Sequence, residues 1–205
     1  MAIDATSGEA ARSRAAGPDI DTFLRSEAQE HRDAFESLMR ALDEPFAQIL
    51  SQWESCVRSG GKILLFGNGG SASDAQHIAA ELVIRYHSDR AAIALTTDTS
   101  ALTAGANDLG FESIFSRQLE ALGRAGDVAV GISTSGKSPN VLKGLREAKS
   151  RGLHTSGLIG ADGGQMRALC DCAIIVPSSI TARIQEMHIF VGHLLCKALE
   201  KRLGL

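Results

Sequence analysis

The sequence predicts an α/β protein: a five-stranded parallel sheet between helices in a three-layer αβα sandwich, with N-terminal helices ahead of the first strand. Three observations carry this. Apolar runs of strand length alternate along the chain with segments of helical period. The runs are apolar throughout rather than at every second residue, as in strands covered on both faces. Turns rich in glycine or serine follow the runs at 63–66 and 128–132, where a parallel sheet presents the carboxyl ends of its strands.

Taken in order, residues 1–18 hold Ala, Ser, Gly and charge without apolar periodicity, and read as a disordered extension. Residues 19–205 read as a single domain. Asp19 or Asp21 caps a helix carrying Phe23, Leu24, Ala28, Phe35, Leu38, Met39 and Leu42. Pro45 opens a second helix that ends at Gly60 and Gly61. The first strand, 63–66, runs into Gly67, Gly69 and Gly70. Ser71, Ser73 and Asp74 are candidate caps for a helix that continues to Tyr86, with Ala75, Ile78, Ala79, Leu82 and Val83 on its apolar face. Strand 91–95 leads to a short helix capped within 96–100, a loop at 105–108 and a helix over 111–122. Strand 128–132 is followed by Ser138 as a cap and Pro139 in the first helical turn. Strand 154–159, a short helix at 165–169, strand 173–176 and a long helix over 180–202 complete the chain.

Composition sets bounds. The 205 residues are 44% hydrophobic and 22% charged, ordinary for a globular protein with a sizeable core. A net charge of −3 and the lack of a dense basic run argue against nucleic acid as a partner. No apolar stretch is long enough to cross a bilayer, and no secretory signal pattern opens the chain, so no membrane partner is expected. Cys170-x-Cys172 lacks a second pair and does not read as a zinc site. Four reduced cysteines in a cytoplasmic protein are the expectation.

Two stretches carry the chemistry. A strand, a glycine turn and a helix N-terminus together make an anion site, most often for phosphate. The turn at 67–70 lacks the Gly-Lys-Ser/Thr of a P-loop and the third glycine of a dinucleotide fingerprint. The run Ser133-Thr134-Ser135-Gly136-Lys137-Ser138 repeats the same logic after a second strand. Further along the helix that leaves the glycine turn, His77 and Glu81 stand four apart, on one face and within reach of one metal or one substrate. The long C-terminal helix adds Gln185, His188 and His193. Gln185 and His193 are eight residues apart, about 12 Å along a helix axis. They serve one compact site only if both side chains lean toward it, or if they come from different subunits.

Gly67-Asn68-Gly69-Gly70-Ser71, Asn107-Asp108, the serine run through Asn140, and Arg183-Ile184-Gln185-Glu186-x-His188 with His193 resemble the phosphoheptose isomerases of the sugar-isomerase (SIS) domain superfamily. The resemblance runs from about Phe23 to the C-terminus. It implies a flavodoxin-like SIS domain, a homotetramer with active sites at subunit interfaces, and a zinc ion held by His77, Glu81, Gln185 and His193. It places a sugar phosphate at Asn68, Gly69, Gly70, Ser71, Asn107, Asp108, Ser133, Thr134, Ser135, Ser138 and Gln185. It also implies conversion of sedoheptulose 7-phosphate to D-glycero-D-manno-heptose 7-phosphate through an enediol, with Glu81 as base and His193 moving protons between O1 and O2. The sequence departs from the family pattern in a short link from Tyr86 to Ala92 and in Ala182, where some members carry an acid. The alternative is a non-catalytic SIS module that binds a replication initiator protein, which has no need of Glu81 and His193.

Overall fold

The computed structural model describes residues 19–85 and 92–205; the N-terminal extension and most of the 86–92 link lie outside them. The five strands are β1 (Ile63–Gly67), β2 (Ala92–Ala94), β3 (Val128–Ser133), β4 (His154–Gly160) and β5 (Cys172–Val176). They pair in the order β2-β1-β3-β4-β5, every pair parallel. The helices are α1 (Ile20–Met39), α2 (Asp43–Arg58), α3 (Gly70–Ala80), α4 (Thr99–Leu109), α5 (Ile114–Leu122), α6 (Pro139–Ser150) and α7 (Thr181–Leu203).

Successive side chains of a strand face opposite sides of the sheet, and the two cores divide accordingly. Ile63, Leu65, Val128, Val130, Leu158 and Ile174 pack with α1, α2, α3 and α7 around the fully buried Trp53. Leu64, Phe66, Ala129 and Ile159 pack with α5 and α6, and Phe66 lies against Phe115 at 5.3 Å between ring centroids. Where β1 and β3 begin, Lys62 and Asp127 form a part-buried ion pair, and Asp127 also accepts the N–H groups of Lys62 and Arg124. That pair fixes the β1–β3 register, Ile63 opposite Val128, and so sets the two downstream loops side by side.

Four local expectations change. Asp19 caps α1 by accepting from the Thr22 N–H at 3.2 Å, but the helix ends at Met39, leaving Leu42 buried in the link. Residues 105–108 are the last turns of α4 rather than a loop. Gly105 meets only ordinary contacts with Ile114, whereas Gly110, at φ +85, is the residue that breaks the helix. No serine or aspartate caps α3: Gly69 occupies the cap with φ +56, and the helix starts at Gly70. Finally, α3 does not stay α-helical. From Glu81 to Arg85 it widens into a π turn, which changes the phase of the apolar stripe. Glu81 and Leu82 are buried there, and Val83, expected in the core, is 42% exposed.

Candidate active site

The first loop is built around close approach. A Cβ on Gly67 would meet the Ile132 carbonyl at 2.7 Å, so β1 can leave the sheet beside β3 only as glycine. The Ser71 N–H closes the turn onto the Asn68 carbonyl at 3.0 Å, and Ser71 is buried. A Cβ on Gly70 would collide with the Gln185 side-chain amide, so Gln185 of α7 lies directly on the first turn of α3. Glycine spacing and a helix N-terminus thus give this end of the site its backbone donors.

The second loop packs equally tightly. Ser133 is buried and accepts the Gly136 N–H at 3.1 Å, its hydroxyl lying 3.3 Å from that of Ser138. Ser135 accepts from the Lys137 N–H at 3.2 Å. Gly136 has φ +63, and a Cβ there would strike the Gly163 backbone, so the loop is wedged against the turn after β4. Ser138 precedes α6 but makes no side-chain cap bond, which leaves its hydroxyl turned to Ser133.

The two loops are tied together by a pair the sequence did not reveal. Asn68 and Asn140 exchange reciprocal amide hydrogen bonds, each 2.8 Å, and Asn140 also accepts the Val141 N–H at 2.9 Å. Asn140 is 2% exposed. Nothing local marks a contact across 72 residues; only the adjacency of β1 and β3 creates it. Asn68, Gly69, Gly70, Ser71 and Gln185 therefore gather at one edge with Ser133, Thr134, Ser135 and Ser138. Asn107 and Asp108 stand apart on the last turn of α4, exposed, with the Asn107 amide donating to Asp108 at 2.7 Å. Asp108 lines a hollow of about 470 Å³ between α4 and α5, away from both loops.

The third cluster lies two turns along α3. His77 Nε2 is 2.8 Å from His193 Nε2 and 3.9 Å from Glu81 Oε1, and one ligand atom from each residue lies within 4.8 Å of the others. Glu81 is 9% exposed and pairs with Arg85 at 3.1 Å, whereas both imidazoles are open to solvent. Glu81 stands four residues after His77, at the start of the π turn, and its burial there sets it beside the two imidazoles. α3 and α7 run side by side in the same direction: Gly70 meets Gln185, and Ile78 packs where a Gly192 side chain would be. His193 thus reaches His77 while Gln185, in the same chain, stays at the other end of the helix pair.

Two side chains near these clusters are out of the ordinary. Burial pushes the Asp74 carboxyl up to about 6, against the pull of His77 one turn on, and its Oδ2 is buried without a hydrogen-bond partner. Burial likewise drives the His188 imidazole down to about 4, and neither of its ring nitrogens has a partner meeting hydrogen-bond geometry, although a backbone group at Ile159 pulls the other way.

The SIS domain family matches residues 28–160. The chain is 57% identical over 182 residues to a phosphoheptose isomerase of Paramagnetospirillum magneticum, a match covering 87% of this chain and 95% of that protein. It is 52% identical over 181 residues to that of Nitratiruptor, covering 87% and 97%. The chain belongs to the phosphoheptose isomerase family. A solved phosphoheptose isomerase from Neisseria gonorrhoeae superimposes with a TM-score of 0.86 at 45% identity, over 89% of this chain and all of that one. The flavodoxin-like SIS fold expected from the motifs is therefore the fold of a phosphoheptose isomerase, and the non-catalytic alternative is not favoured.

Proposed function

We propose that the chain interconverts sedoheptulose 7-phosphate and D-glycero-D-manno-heptose 7-phosphate, supplying heptose for lipopolysaccharide or other surface glycans. The observation that carries this reading is the cluster of buried Glu81 with His77 and His193 on the same helix pair, α3 and α7, that begins at the glycine loop. The loops bind the phosphate through backbone N–H groups and the hydroxyls of Ser71, Ser133, Ser135 and Ser138, with Thr134 beside them. Asn107 and Asp108 are assigned to substrate hydroxyls, reached from a neighbouring subunit or after α4 moves.

Glu81 is the base. It takes a proton from C1 of the ketose, the C1–H electrons form the C1=C2 bond of an enediol, and O2 gains a proton from His193. Collapse of the enediol returns the proton from Glu81 to C2 while O1 gives up its own to His193, leaving the aldehyde at C1. The donor set suits a zinc ion: two imidazole nitrogens and a carboxylate oxygen lie within 4.8 Å of one another. His77, Glu81 and His193 would hold it, with Gln185 from a second subunit as the weak fourth ligand. Bound there, zinc would polarise the substrate carbonyl. A zinc-bound carboxylate would be a poorer base and a zinc-bound imidazole nitrogen carries no hydrogen, so Glu81 and His193 would transfer protons only when not bound to the metal. The free thiols of Cys56, Cys170, Cys172 and Cys196 suit a cytoplasmic setting.

A coupled assay on sedoheptulose 7-phosphate is the direct test. Turnover that falls with a chelator and returns with zinc supports the reading. No turnover by zinc-loaded protein would overturn it.

A further inference from the structure

Asp74 is costly where it stands. Its Oδ2 is buried and has no hydrogen-bond partner, and no side-chain cap of α3 uses it. A carboxylate in that state loses hydration without compensation, so the fold gives up stability to keep it. Its position suggests the use. Asp74, His77 and Glu81 follow one stripe of the helix, and side chains three apart are neighbours with Cβ atoms about 5–6 Å apart. Helical side chains lean toward the N-terminus, so the His77 ring lies back over the turn that carries Asp74. Asp74 is close enough for its charge to interact with His77, although no hydrogen bond joins them. The other side of the ring is already committed: Nε2 faces His193 Nε2 at 2.8 Å. Two imidazole nitrogens at that distance need one to carry a hydrogen and the other a lone pair.

We infer that Asp74 is the positioning residue for His77: its carboxylate accepts the Nδ1–H of the imidazole, which fixes the tautomer whose Nε2 lone pair faces Glu81 and His193. A rotation of the His77 ring, whose side chain is 48% exposed, makes the bond. His193 then supplies the Nε2–H in the metal-free protein. The inference rests on the metal reading only for its consequence. Carboxylates that hold ligating histidines in this way raise ligand basicity and orient the ring.

The test uses the full chain, Asp74→Leu, which removes the acceptor and keeps the burial, and Asp74→Asn, which keeps a neutral acceptor. Zinc binding is measured by competition with a chromophoric chelator. The histidine tautomers of metal-free protein at pH 8 are read from 15N spectra, with the His77 signals assigned by their loss in His77→Ala. The expected results are an Nδ1–H tautomer for His77 in wild type, its loss in Asp74→Leu, and zinc affinity weaker by about 10–100-fold in that variant, with Asp74→Asn between the two. An Nε2–H tautomer for His77 in wild type, or wild-type zinc affinity in Asp74→Leu, would overturn the inference. If wild type binds no zinc, the metal reading fails, and the tautomer alone still decides the role of Asp74.

Discussion

Glu81 and His188 show what single side chains contribute, one to chemistry and one to stability. Glu81 is buried at the start of the π turn and held by Arg85, so Glu81→Gln keeps the shape and removes only the base. Steady-state kinetics should show kcat reduced at least ~10²-fold with KM little changed. Near-normal kcat would remove Glu81 from the proton transfer. His188 sits fully buried on the inner side of α7. Its folded value, about 4, lies below the ordinary 6.5, so the unfolded chain binds the proton more readily. Stability from the neutral ring is therefore present above pH 6.5 and is lost as pH falls toward 4. At about 1.4 kcal/mol per unit the full loss is roughly 3 kcal/mol. Urea unfolding at pH 7 and pH 5 measures it: His188→Leu should lose clearly less stability than wild type between the two. Equal losses would mean that His188 is not buried neutral.

The elements explain which parts of the site were legible. A glycine or serine run after an apolar strand is a local signal, and it located both turns at the carboxyl ends of β1 and β3. The i, i+4 spacing of His77 and Glu81 is local too, and the two residues do meet. What escaped was set by partners distant in sequence or by a change of helix type. The period through Leu82 and Val83 is continuous in the sequence, but the backbone switches to a π turn at Glu81, and Val83 turns outward. Gly105 looked like a breaker, yet the residue with positive φ is Gly110. Asn140 read as one more polar residue at a helix start, whereas it bolts the second loop to the first through Asn68. That bolt has a testable weight. Asn140→Ala leaves the Asn68 amide unpaired at a part-buried position, a cost of about 1–3 kcal/mol. The variant should unfold at lower temperature and raise KM for the phosphorylated substrate more than it lowers kcat. Unchanged KM would mean that the loops keep their spacing without the pair.

At the scale of the whole molecule, one chain leaves apolar surface and chemistry incomplete together. Ile20, Phe23 and Leu24 on α1, Ile84 in the π turn, Leu109 at the end of α4 and Phe111 after it are all exposed, and α4 has no buried residue. Such faces are suited to partners, and a symmetric assembly of identical chains would supply them. The catalytic geometry makes the same demand. Gln185 lies on Gly70 at the start of α3, while His77, Glu81 and His193 lie about two turns further on, so one chain does not bring Gln185 to the triad. The proposed homotetramer, setting the loop end of one subunit against the His77–Glu81–His193 cluster of the next, would complete the set and put the two halves of a site on different copies. Co-refolding separates this arrangement from a site contained in one chain. Gln185→Ala and His193→Ala, each inactive alone, are mixed, and the sites in mixed tetramers are assayed. Where a Gln185 from the His193→Ala copy meets an intact triad from the Gln185→Ala copy, a site is whole and turnover returns. In a self-contained site every copy carries one lesion, and no mixture recovers activity. A mixture that sediments as a tetramer and stays inactive would place Gln185 and His193 in the same chain's site.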